Sequence, residues 1–198
     1  MTTRRLRYAG AVVLIVSLAG ASFALASGGH KNKDSEFHAN MIGYNEVPSL
    51  NTPGHATLAL NVTDTTITFK LDYADLTGPR GAAHIHVGQK GVNGGVSVFF
   101  CGGGGKPACP ASNSGSVSGT ITAADVVGPT AQGFAVGDIT PVIAALRAGF
   151  TYANMHTAKF PAGEIRGQVV RGGGHGPDQP RSAAPCARAS RHHRSTVG

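Results

Sequence analysis

Residues 65–73 read TTITFKLDY, and Ile67, Phe69, Leu71 and Tyr73 alternate there with Thr68, Lys70 and Asp72. A period of two puts the apolar set on one face and the polar set on the other, which is the pattern of a half-buried β-strand. The same period recurs outward from it. Leu58, Leu60 and Val62 share a face in 57–62, and further strands are expected at 82–87, 96–100, 116–121, 150–156 and 164–170. Gly, Pro and Asn mark 77–81 (TGPRG) and 88–95 (GQKGVNGG) as turns or loops. One helix is signalled by DITPVIAALRAGF, with Thr140 as N-cap, Pro141 at the first helical position and Gly149 just past the end. TAADVVG reads as a further helical turn. Short strands separated by turns, with no βαβ alternation, predict an all-β fold. The expected form is an antiparallel Greek-key-like sandwich or small barrel of about seven to eight strands with one short helix.

The ends of the chain differ from this body. Arg4, Arg5 and Arg7 precede the apolar run AGAVVLIVSLAGASFALA, and Ala24-Leu25-Ala26 has the small-x-small form of a cleavage site. Residues 1–26 are therefore expected to be a signal peptide, with an uncleaved membrane anchor as the competing reading. Residues 27–36 read as a polar linker. Residues 172–198 are rich in Gly, Pro, Ser, Ala and Arg with almost no large apolar side chain, and are expected to be a disordered basic tail. The formal charge is +7, but residues 37–171 carry eight basic and seven acidic side chains. The excess lies at the ends, so no nucleic-acid-binding face is expected on the folded part. The expected setting is secreted or extracytoplasmic, with membrane contact only through an uncleaved signal.

Within the body, AHIHVG at 83–88 places His84 and His86 two residues apart on a strand. They must share a face, while Ile85 and Val87 point the other way, into the core. The pair then lies on the outer face of its sheet or under a loop. In FTYANMHT, Asn154 and His156 alternate with Ala153 and Met155; in GEIRGQVV, Glu164 and Arg166 alternate with Ile165 and Gly167. If the three strands are neighbours, His84, His86 and His156 converge as metal ligands. Asn154, Glu164 and Arg166 then stand beside them in support, with Glu164 and Arg166 expected to form an ion pair. An imidazole-rich exported site suits copper or zinc. The plainer reading is that these histidines hydrogen-bond across strands. His38 and His55 are further candidates to complete a site, whereas His30, His175, His192 and His193 lie in the polar ends. No GxSxG, HExxH or phosphate-cradling motif occurs, so nothing names a catalytic residue. Cys101 and Cys109 bracket GGGGKPA, a flexible loop able to close into a disulfide in an oxidising compartment. Cys186 lies in the tail without an evident partner.

The motifs HIHxG, SGTITAxD, NxHT and PxGEIRGQ, in this order over about 42–170, resemble the CHRD domain, a unit named after chordin. His84, His86, Gly88, Asn93, Asn154, His156, Glu164 and Arg166 are the positions that match. The resemblance implies a β-rich module of extracellular proteins with no catalytic residues assigned. In chordin such domains accompany cysteine-rich repeats that bind growth factors; those repeats are missing here, so that activity does not carry over. A weaker pattern similarity to copper–zinc superoxide dismutase rests on the order His84, His86, His156, Arg166, without that family's bridging histidine or zinc cluster. Three readings follow. The first is an exported module binding one copper or zinc ion. The second is a structural or protein-interaction module without metal, its partner an unknown extracellular protein. The third is a redox enzyme in which Arg166 attracts an anion.

Overall fold

The computed structural model describes residues 35–172. The expected signal peptide, most of the expected linker, the expected basic tail and Cys186 lie outside the described residues. Among these residues are nine strands: β1 (Glu36–Ile42), β2 (His55–Val62), β3 (Ile67–Ala74), β4 (Arg80–Val87), β5 (Gly95–Cys101), β6 (Gly115–Ile121), β7 (Thr151–Thr157), β8 (Ile165–Gln168) and β9 (Val170–Arg171). One helix, α1 (Thr140–Arg147), precedes β7. The strands form a single antiparallel sheet in the order β5-β4-β7-β8-β1-β2-β3-β6, with β9 pairing onto β1. The sheet curls until its ends approach: Val98 of β5 bridges Val126, just beyond β6. Of the sandwich and the small barrel, the molecule is a nearly closed barrel.

Alternation explains how the barrel fills. Leu58, Leu60 and Val62 of β2, and Ile67, Phe69 and Leu71 of β3, are buried in the core. Ile85 of β4 and Ala153 and Met155 of β7 join them, each fully inaccessible. Phe69 meets Phe100 of β5 with ring centroids 4.6 Å apart, from strands that stand far apart in sheet order. Val142, Ile143 and Leu146 of α1 are buried in this cluster.

Three expectations change. β1 stands outside the strands expected from period two, because EFHANMI offers only Phe37, Ala39 and Met41 as an inward set and few β-formers; it nevertheless sits centrally, between β8 and β2. Glu36, assigned to the linker, is its first residue. The single strand expected at 164–170 is broken into β8 and β9. Thr140 does not cap α1: the backbone N–H of Thr140 donates to the Asp138 carboxylate at 3.0 Å, so the acceptor stands two residues earlier. TAADVVG forms one 3-10 turn, Ala123–Asp125, in which the Thr122 N–H donates to Asp125 at 2.8 Å.

Glu164 departs furthest from its expected place. It precedes β8, so strand alternation does not govern it, and it is fully buried away from Arg166. One carboxylate oxygen accepts from the Thr52 hydroxyl (2.7 Å) and from the Thr77 N–H and hydroxyl (both 3.0 Å). The other accepts from the Thr157 hydroxyl at 2.7 Å. The expected Glu164–Arg166 ion pair is replaced by this knot, which ties three chain segments to the start of β8. Burial alone would raise the Glu164 pKa, but the bonds from Thr52, Thr157 and Thr77 outweigh it and hold the carboxyl below its usual range.

Two predictions follow from the packing. Gly167 faces β1 so closely that a Cβ would stand 2.4 Å from the Asn40 carbonyl oxygen. Gly167→Ala must therefore push β1 from β8, and thermal unfolding should record a loss of about 1–3 kcal/mol; an unchanged midpoint would contradict the register. Because the folded pKa of Glu164 is depressed, its contribution is complete above the usual carboxylate pKa and is lost as pH falls through it toward the folded value. Glu164→Gln should cost about 1–3 kcal/mol at neutral pH. The gap between variant and parent should narrow as pH falls through the usual carboxylate range toward the depressed folded value. A gap independent of pH would show that the carboxylate charge is not what the threonines hold.

Candidate metal centre

The site grows from the pairing of β4 with β7, in which His84 lies opposite Asn154, Ile85 opposite Ala153 and His86 opposite Tyr152. Since Ile85 and Ala153 fill the barrel, His84, His86, Tyr152, Asn154 and His156 are all directed to its outer side. That side is not open to solvent. His84 is 5% exposed and Asn154 3%, because loops lie across them. The second of the two expected placements, under a loop, is the observed one.

The three imidazoles meet. Ring centroids of His84 stand 4.5 Å from His86 and 4.6 Å from His156. One ring nitrogen from each lies within 4.8 Å of the other two, and no carboxylate or thiol among the described residues joins the group. His86 Nδ1–H donates to the Gly94 carbonyl at 2.8 Å, and His156 Nδ1–H donates to the Pro161 carbonyl at 2.9 Å. A carbonyl can only accept, so each bond fixes the tautomer and leaves Nε2 with its lone pair free. His86 Nε2, His156 Nε2 and His84 Nδ1 are all buried and have no hydrogen-bond partner.

Burial, reinforced by the neighbouring imidazoles of His86 and His156, pushes His84 down to about 3. Burial also lowers His86, to about 4, against the bond to Gly94, with His156 and Arg166 adding to the depression. His156 is lowered by burial against its bond to Pro161. At neutral pH the cluster is three uncharged imidazoles, the protonation state in which a nitrogen can donate to a metal.

Around the triad runs a polar layer. β7 lies between β4 and β8, so Tyr152 receives His86 from one neighbour and Arg166 from the other. The His86 and Tyr152 rings stack at 4.6 Å with planes 6° apart, and the Arg166 guanidinium lies 3.4 Å from the Tyr152 centroid. Arg166 donates to Asn93 Oδ1 at 2.9 Å, to the Val92 carbonyl at 2.7 Å and to the Gln89 carbonyl at 3.4 Å. It thereby clamps the loop 88–94 that supplies the Gly94 carbonyl to His86. Asn154 donates through Nδ2 to Glu46 Oε1 at 2.5 Å and to the Ile165 carbonyl at 3.3 Å.

Of the expected site residues, His84, His86 and His156 are brought together, with Asn154 and Arg166 beside them, while Glu164 is elsewhere. His38 and His55 sit on β1 and β2, apart from the cluster. Glu46 is the carboxylate that sequence reasoning missed; it lies in an aperiodic loop after β1, where no pattern marks it. Burial raises Glu46 to about 7, against the charge of Arg166 and hydrogen bonds from Asn154 and the Val47 backbone. Cys101 and Cys109 form a disulfide with Cα atoms 4.9 Å apart at the end of β5.

A family model described as the CHRD domain matches residues 37–169, which spans the described barrel. No curated protein and no solved structure matches the chain. The match covers most of the sequence and carries the histidine strands with it: the chain belongs to the CHRD domain family.

Proposed function

We propose that this CHRD domain is an exported binding module that holds one copper or zinc ion through His84, His86 and His156. The observation that carries this reading is the set of three buried ring nitrogens without hydrogen-bond partners, gathered on one side of the barrel. Buried polar atoms are ordinarily paired, and three orphans in one cluster need an explanation. A cation is a partner that three uncharged imidazoles can share. The carbonyl bonds of His86 and His156 are the outer-sphere contacts that orient metal-binding imidazoles. Metal–nitrogen bonds of about 2.0 Å require ring nitrogens roughly 3.3 Å apart. The widest separation, at most 4.8 Å, therefore closes by modest side-chain rotation on loading.

The metal-free reading, in which the histidines only pin loops, accounts for the two bonds to Gly94 and Pro161 but leaves the three buried, unpartnered nitrogens unexplained. The redox-enzyme reading loses the role given to Arg166, whose guanidinium is spent on Asn93, Val92, Gln89 and Tyr152. Storage, transport or sensing of the ion is the better fit. Export is part of the proposal, supported by the N-terminal apolar segment and by the Cys101–Cys109 disulfide.

The test is copper(II) and zinc(II) titration of the chain carrying His192→Ala and His193→Ala, which removes the terminal histidine pair from the count. One equivalent should bind, and His84→Ala with His156→Ala should abolish it while the circular dichroism of the barrel persists. No binding by the parent, or equal binding by the variant, would refute the proposal.

A further inference from the structure

His84 is held differently from its two partners. His86 and His156 are each oriented by a backbone carbonyl, whereas the buried Nδ1 of His84 has no hydrogen-bond partner. What fixes it is packing: beyond the other two imidazoles, the Phe99 ring forms a T-shaped pair with it at 5.0 Å between centroids, with planes 81° apart. Phe99 projects from β5, opposite His84 in the β4–β5 ladder.

Phe99 is itself roofed by the loop that the disulfide closes. A Cβ on Gly103 would stand 2.4 Å from Phe99 Cε1, and one on Gly104 would stand 2.6 Å from Cδ2. Neither position has room for a side chain against Phe99, and Gly104 also has φ +57, a conformation that favours glycine. The loop is cinched at its base by the Cys101–Cys109 bond and by the Gly102 N–H donating to the Pro107 carbonyl at 2.7 Å. Lys106 anchors its outer side on Asp125 at 2.7 Å. Cys101 is buried but Cys109 is half-buried, so a thiol can reach the bond at one sulfur.

We propose that the Cys101–Cys109 loop is a redox-sensitive latch on the histidine cluster, acting through Phe99 as the positioning residue for His84. The proposal rests on the metal-binding reading above. With the disulfide closed, Gly103 and Gly104 press Phe99 against His84 and hold its ring beside the other two imidazoles. A dithiol reductant opens the latch by thiol–disulfide exchange. Its first thiolate displaces one protein sulfur to give a mixed disulfide, and its second releases the other. The protein takes up two electrons and two protons as the reductant becomes its own disulfide. The glycine loop then loses its base, Phe99 regains rotamer freedom, and His84 is no longer set.

The experiment compares the oxidised chain, the dithiol-reduced chain and Cys101→Ser/Cys109→Ser, at a temperature where circular dichroism shows all three folded. Zinc affinity is measured by chelator competition, and His84 ring signals are followed by NMR without metal. Zinc affinity should fall on the order of tenfold or more on opening the disulfide. Phe99→Leu should reproduce the fall with the disulfide intact, and the His84 ring signals should move in both cases. Unchanged affinity with unmoved His84 signals would overturn the latch while leaving the metal site standing. If the oxidised chain binds no zinc, the metal reading fails, and the His84 signals alone decide whether the disulfide governs the ring.

Discussion

The register between β4 and β7 is the constraint on which the rest of the molecule depends. Ile85 opposite Ala153 fills the barrel, so His84 and His86 must leave it. A slip of one residue would carry two imidazoles into an apolar interior and expose Ile85, exchanging the two faces of the strand. Burial of Ile85, Ala153 and Met155 therefore does more than hold the sheet together. It sets which side of the barrel carries polar chemistry, and the antiparallel ladder sets which residues meet there.

The strands deliver the imidazoles, but the loops decide what those imidazoles can do. Gly94 and Pro161 come from two separate connections, and each spends its carbonyl on one Nδ1–H. Arg166 holds the first of these loops by three hydrogen bonds, and Tyr152 receives the Gly94 N–H at 3.1 Å while stacking on His86. Tautomer, ring orientation and loop position are thus coupled, and none can change without the others. Burial under the same loops keeps the imidazoles uncharged, so one arrangement supplies both the orientation and the protonation state.

Much of this was legible because a period of two is a geometric statement. Once Ile67, Phe69 and Leu71 alternate with Thr68 and Lys70, the face of every side chain on that strand is known, and the same logic put His84 with His86. The limits are equally physical. Periodicity does not reveal which strands are neighbours, so the meeting of His156 with His84 depended on a β4–β7 contact between segments some seventy residues apart. It failed at Glu164 because that residue stands before the strand, where loop geometry turns it to Thr52, Thr77 and Thr157. It failed at β1 because Ala39, Asn40 and Met41 carry little β-propensity, and only pairing on both sides makes them a strand. Glu46 has no periodic context at all; its importance comes from Asn154 and Arg166, which reach it from other parts of the chain.

The three unpartnered nitrogens bear on stability as well as on chemistry. A buried acceptor without a donor costs about 1–3 kcal/mol. The barrel therefore carries a local disadvantage that its apolar core and the Glu164 knot must offset. Binding a cation would remove that disadvantage only in the folded state, since the strands that align His84, His86 and His156 do not exist in the unfolded chain. The same geometry explains why the ring bonds are divided as they are. If Nδ1 and Nε2 of each histidine were all satisfied by the protein, the site would be stable and inert. If neither were, the rings would be free to rotate. Holding His86 and His156 by one nitrogen each, and His84 by packing against Phe99, orients the three rings while leaving one nitrogen of each unbonded.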